Sequence, residues 1–72
     1  MSRQKTYFEL RLVLSGSVFR CASDRVTDYF TTDAMKILDH VRTRSTAGSW
    51  VEVTLPEIGG QIARYQVRWL SA

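Results

Sequence analysis

The stretch that decides the fold is residues 50–69, WVEVTLPEIGGQIARYQVRW. On both sides of the central glycine pair, apolar residues alternate with polar ones, which is the pattern of two half-buried strands joined by a turn. We therefore expect a β-hairpin with strands at about 50–55 and 61–70.

The loop of this hairpin can be chosen by register. A two-residue loop of Gly59 and Gly60 would set core residues opposite surface residues. A three-residue loop, 58–60, with Gly60 in a left-handed bulge keeps both apolar sets on one side, so we prefer it. The core residues that it pairs are Leu55 with Ala63, Val53 with Tyr65, and Val51 with Val67.

An earlier hairpin is predicted, with strands at about 6–14 and 18–23. The apolar residues that alternate in its first strand are Phe8, Leu10, Leu12 and Leu14. A tight turn of two residues is expected within 15–17. Either choice of turn places Phe19 and Cys21 opposite the leucines, so the core face does not depend on it.

Between the hairpins, a helix is predicted at about 32–44. Thr31 is the expected N-cap, and the apolar residues at helical spacing are Ala34, Ile37, Leu38 and Val41. The chain is therefore predicted to be a single α+β domain, 1–72, with the element order β-β-α-β-β. Its antiparallel sheet has four strands with one helix packed on one face, and the strand order stays open.

Composition limits the classes of function. The chain has 72 residues, 44% hydrophobic and 11% aromatic, which fits one small globular domain. It contains one cysteine, so no internal disulfide can form, and no apolar run approaches the roughly 18 residues of a membrane span. We expect a cytoplasmic protein without a membrane partner.

Catalytic chemistry is not expected. His40 is the single histidine and Cys21 is predicted to lie on the core face, so neither has the neighbours that general acid-base or nucleophilic catalysis requires. One histidine and one cysteine cannot form a zinc site within one chain. We predict no catalytic residue, no metal site and no cofactor.

The face of the sheet opposite the helix carries the predicted binding site. Arginine makes up eight of the ten basic residues, and the net charge is +3. The register sets Trp50 opposite Arg68, which allows a cation-π contact. The predicted binding residues are Tyr7, Arg11, Arg20, Trp50, Arg64, Gln66 and Arg68. The plainer interpretation is that this face is simply exposed to solvent. Its apolar residues argue against that interpretation: Val13, Val18, Ile62 and Leu70.

Two classes of partner fit this face. The first hypothesis is a non-enzymatic regulatory module that binds a protein, such as a component of nucleic-acid machinery, and acts as an inhibitor or adaptor by occupancy. The small size of the chain would suit an accessory protein of a phage or another mobile element. The alternative is direct binding of nucleic acid on the same face. A homodimer through the sheet face or an edge strand is the third option.

Overall fold

The computed structural model describes residues 5–71. Within them, the strands are β1 (Thr6–Leu12), β2 (Val18–Ala22), β3 (Val51–Pro56) and β4 (Ile62–Ser71). The helix α1 spans Thr32–Arg44, and a 3₁₀ helix, Ser23–Asp28, precedes it. The predicted α+β class is confirmed: four antiparallel strands form one sheet, and one main helix packs on it.

The strand order is β2-β1-β4-β3. The first and last strands in the chain are therefore neighbours at the centre of the sheet, and β2 and β3 are the edges. In the β1–β4 register, Glu9 lies opposite Arg68 and Arg11 lies opposite Gln66. Each edge strand belongs to a separate hairpin, so α1 connects one edge of the sheet to the other.

The β3–β4 hairpin has the predicted register. Its three core pairs are Leu55 with Ala63, Val53 with Tyr65, and Val51 with Val67. The Glu57 amide donates to the Gln61 carbonyl at 2.7 Å, which leaves the three-residue loop 58–60. Both glycines of the loop have positive φ, 105° at Gly59 and 90° at Gly60, although only Gly60 was expected to. The two strands begin and end one residue later than predicted.

The two-residue turn predicted for the β1–β2 hairpin is wrong. The Leu12 amide donates to the Ser17 carbonyl at 2.8 Å and the Gly16 amide to the Leu12 carbonyl at 2.7 Å, so the loop is 13–16. Strand β1 ends at Leu12 and not at residue 14, β2 ends one residue early, and Leu14 is 95% exposed in the loop. The register moves by two or four residues, depending on which of the two predicted turns is taken. Either shift preserves parity, so Phe19 still lies opposite a leucine, which is Leu10.

The core lies between the sheet and its two helices. Helix α1 packs over β3 and β4, while the 3₁₀ helix packs over β1 and β2. The 3₁₀ helix has no predicted counterpart, and it buries Val26. The buried side chains are Phe8, Leu10, Cys21, Val26, Phe30, Ala34, Leu38, Val41, Leu55, Tyr65 and Val67.

Hydrogen bonds hold both ends of α1, which has the predicted bounds. Thr31 caps the helix, because its Oγ1 accepts from the Ala34 amide at 3.3 Å and also donates to the Pro56 carbonyl at 3.3 Å. At the other end, Trp69 Nε1 donates to the Ser45 carbonyl at 2.9 Å. Pro56 ends β3, and Trp69 lies beside the start of β3. Helix α1 therefore runs along β3 in the opposite direction.

Candidate functional site

The outer face of the sheet is the side opposite α1 and the 3₁₀ helix. Neither helix of residues 5–71 packs against it. The strand register places six of the predicted binding residues on this face, and contacts with two of them place Trp50 there as well. The six are Tyr7, Arg11, Arg20, Arg64, Gln66 and Arg68. Their positions within the face differ, and only some of them touch.

Three side chains form a cluster with Trp50, which directly precedes β3. The Cζ atoms of Arg68 and Arg11 lie 4.6 Å and 4.3 Å from the centroid of its ring. Arg11 Nη1 also donates to Gln66 Oε1 at 2.9 Å. We call Arg11, Trp50, Gln66 and Arg68 the Trp50 cluster. The contact with Arg68 was expected, whereas the contact with Arg11 requires β1 to lie beside β4 and was missed.

Glu9 holds two of the arginines in place. Its Oε1 accepts from Arg68 Nε at 2.9 Å and lies 2.6 Å from Arg68 Nη2, and its Oε2 lies 3.5 Å from Arg20 Nη2. The hydrogen bond from Arg68, helped by Arg20, lowers the pKa of the Glu9 carboxyl below its ordinary value. Glu9 therefore stays ionised, and it orients Arg68 against the Trp50 ring.

Arg64 makes a separate ion pair. Its Nη2 lies 2.6 Å from Glu52 Oε2, on side chains that are 67% and 50% exposed. The hydrogen bond to Glu52 raises the pKa of the Arg64 guanidinium. Exposed pairs of this kind stabilise a fold only weakly because water screens them, so Arg64 can exchange Glu52 for another acceptor at low cost.

Two predicted residues lie at the margin of the face. Tyr7 is half-buried between Ala22 and Leu70 in the cross-strand register. Arg20 lies on edge strand β2, with 61% of its side chain exposed. Arg11 and Arg20 are diagonal neighbours, since Arg11 is directly opposite Val18. Tyr7 and Arg20 therefore flank the Trp50 cluster.

Apolar side chains occupy the end of the outer face near the two hairpin loops. Val13 is 41% exposed, Val18 50% and Ile62 70%. The Val13 amide donates to the Arg64 carbonyl at 3.1 Å, which continues the sheet into the loop. The outer face thus combines an aromatic and cationic centre with an apolar end.

The residues with nucleophilic or acid-base chemistry are not on this face. Cys21 is buried in the core, and burial raises the pKa of its thiol, so it stays protonated and unreactive. His40 is exposed on α1. In the part of the chain that the structure describes, no three His, Cys, Asp or Glu side chains are grouped in a way that could hold a metal ion.

Among residues 5–71, no helix has both the length and the hydrophobicity that crossing a membrane requires. Comparison of the chain with protein-family models, curated proteins and solved structures finds no match. Function must therefore be inferred from the geometry of the chain's own residues.

Proposed function

We propose that this protein is a non-enzymatic interaction module that binds a protein partner through the outer face of its sheet. The observation that carries the proposal is the Trp50 cluster, in which a tryptophan and two arginines meet on a face that neither helix packs against. Tryptophan and arginine are enriched among the residues that dominate binding energy in protein interfaces. Glu9 holds Arg68 in one orientation, so less conformational entropy is lost on binding.

The charge on the face favours a protein over a nucleic acid. Of its four arginines, Arg20 and Arg68 share Glu9, and Arg64 pairs with Glu52. A polyanion would have to bind next to two carboxylates, which repel it. A protein surface of mixed charge can satisfy both the arginines and the glutamates.

The apolar end of the face supports the same choice. Val13, Val18 and Ile62 gain little from a phosphate backbone but would be buried against apolar side chains of a protein. The expected partner therefore presents an apolar patch beside carboxylate or carbonyl acceptors for Arg11 and Arg64. A module of this kind acts by occupancy, as an inhibitor or an adaptor.

Direct binding of nucleic acid on the same face is the competing proposal. Trp50 could stack on a base, and the exposed guanidinium groups of Arg20 and Arg64 could contact phosphates. It predicts that log affinity for a single strand falls with log salt by about 0.7 for each phosphate contacted. Affinity for mixed-sequence oligonucleotides that stays weaker than about 100 μM at low salt would exclude it.

The test of the protein-binding proposal is the double variant Trp50→Ala with Arg68→Ala. The partner is captured from cells with and without nuclease, purified, and titrated against each variant by calorimetry. We expect Kd to rise at least about 30-fold, because hot-spot truncations cost about 2 kcal/mol or more. Capture that nuclease abolishes would instead support a nucleic-acid partner.

The matched control is Tyr29→Ala with Arg25→Ala, which also removes one aromatic ring and one arginine. Tyr29 is 57% exposed and Arg25 lies on the 3₁₀ helix, on the other side of the molecule. Thermal unfolding followed by circular dichroism checks that both variants are folded. Equal binding by the wild type and the folded Trp50/Arg68 variant would show that the outer face is not the interface.

A further inference from the structure

Three basic side chains form a row along α1. Lys36, His40 and Arg44 follow one another at intervals of four residues, which places them on one side of the helix. All three are exposed, and none forms an ion pair with any acidic group of residues 5–71. Arg42, on the same helix, pairs with Asp39 at 3.5 Å. We call Lys36, His40 and Arg44 the basic row.

The basic row borders a groove between α1 and β3. The groove has a volume of about 490 Å³, and its apolar floor consists of Ile37 and Val41 from α1 and Val51 and Val53 from β3. No carboxylate of the described residues 5–71 lines it. An apolar floor beside the unpaired cations of Lys36 and Arg44 suits a ligand that is anionic and has apolar stems.

The groove lies along an open edge of the sheet. Within the described residues, β3 pairs with β4 alone, and an isolated bridge joins Phe30 to Glu57 just beyond the end of the strand. The backbone groups on the other edge of β3, beside the groove, therefore have no strand partner. Such an edge can accept an additional strand through main-chain hydrogen bonds. Pro56, which has no amide hydrogen, is the last residue of β3 and limits the available edge to the part beside the groove.

The basic row and the edge of β3 have matching periods. Helix α1 runs along β3, as the bonds from Thr31 to Pro56 and from Trp69 to Ser45 show. Four residues of helix advance about 6 Å, and two residues of a strand advance about 6.8 Å. Every second side chain of an added strand would therefore point toward the next member of the basic row.

We propose that the edge of β3 binds an extended acidic peptide as a fifth strand, with glutamates at alternate positions. Their methylene stems cover Val51 and Val53, and their carboxylates reach Lys36, His40 and Arg44. The intervening residues face the other side of the sheet. This site is separate from the outer face, so it does not depend on the proposed function.

The probe is the fluorescein-labelled peptide Thr-Glu-Val-Glu-Val-Glu-Thr, with blocked ends, titrated by fluorescence anisotropy. We expect Lys36→Glu with Arg44→Glu to weaken its binding at least tenfold, because the charges then repel. The matched control, Arg42→Glu with Arg25→Glu, makes the same change of net charge away from the groove. A similar loss of peptide binding in the control would show that the effect comes from net charge alone, and it would overturn the proposal.

Strand addition is tested by methylating the peptide backbone. One probe carries N-methyl groups on its valines and the other on its glutamates. Alternate amides of a strand point in opposite directions, so one probe loses binding and the other keeps it. Equal binding of both probes would show that no strand is added.

Two other results would also overturn the proposal. Binding of dodecanoate in place of the peptide would mean that the groove takes an anionic amphiphile. Loss of peptide binding in the Trp50/Arg68 variant would place the peptide on the outer face instead. Retention of peptide binding in that variant, together with its loss in the Lys36/Arg44 variant, is the expected result.

Discussion

Tyr65 shows how a single residue links the core to a loop. Its ring lies in the core, edge-on to Phe30 with 5.6 Å between centroids, and its hydroxyl donates to Glu57 Oε2 at 2.6 Å. Burial, and then the carboxylate of Glu57, raise the pKa of Tyr65 to about 12. Glu57 immediately precedes the loop 58–60, so this bond holds the base of the loop against the core.

The raised pKa predicts a loss of stability in alkali. The unfolded chain releases the tyrosine proton near pH 10 and the folded protein near pH 12, so the stabilisation is complete below pH 10 and disappears between these values. We expect the wild type to lose about 2 kcal/mol more than Tyr65→Phe by pH 12. Urea denaturation of both proteins from pH 8 to 12 measures it. If the unfolding free energies of the two proteins fell in parallel with pH, Tyr65 would not be the residue whose ionisation destabilises the fold.

At the residue scale, sequence predicted the face of a side chain better than its partner. Alternation alone put Arg11, Arg68 and Trp50 on one side of the sheet, as the register has them. It did not identify Glu9 as the acceptor for Arg68, because that contact depends on a pairing between distant strands. The basic row was also missed, although the four-residue spacing from Lys36 to Arg44 is visible in the sequence.

At the scale of the element, α1 depends on its first turn. Thr31 both accepts from the helix and donates to the Pro56 carbonyl, so it joins α1 to β3. We expect Thr31→Ala to cost about 1 to 2 kcal/mol of unfolding free energy, the upper part of the range for N-caps, because two bonds are lost. Urea denaturation measures it. Thr32→Ala, one residue later at an exposed position, is the control and should cost less than about 0.5 kcal/mol.

Elements with a strict pattern were predicted well, and those without one were not. The bounds of α1 followed from its N-cap and the helical spacing of its apolar residues. The register of the β3–β4 hairpin followed from the alternation of apolar residues in its strands. The first hairpin was predicted with the wrong loop, because Leu14 continues the apolar alternation past the point where β1 ends. The polar segment 23–28 gave no helical period, yet it forms a 3₁₀ helix around one buried valine.

At the scale of the whole molecule, one layer of core must support 72 residues. Leu38 is 1% exposed at its centre. We expect Leu38→Ala to cost about 2 to 5 kcal/mol, a large part of the total for a domain this small. Leu12 is only half-buried, so Leu12→Ala should lower the free energy of unfolding by less. Thermal unfolding measures each change, and Met35→Ala, at a position 42% exposed on the same helix, is the control. An equal loss at Met35 and Leu38 would contradict this placement of the core.

The strand order belongs to this scale, and the sequence left it open. Each hairpin is a local pairing with its own turn, so its register can be tested within about twenty residues of sequence. The contact between β1 and β4 joins segments that share no turn, and their alternating patterns fit several orders equally well. The arrangement β2-β1-β4-β3 also decides which arginine can reach Trp50, so the Trp50 cluster could be predicted only in part.

The pairing of β1 with β4 has a consequence for synthesis. Glu9 and Arg68 are 59 residues apart, and a ribosome needs roughly 3 to 12 seconds to add that many at 5 to 20 residues per second. From the addition of β2 until β4 follows, the nascent β1–β2 hairpin exposes apolar side chains and the unpaired inner edge of β1. The emerging chain is then most open to chaperones and to self-association, and arrival of the last strand closes both exposures in one step.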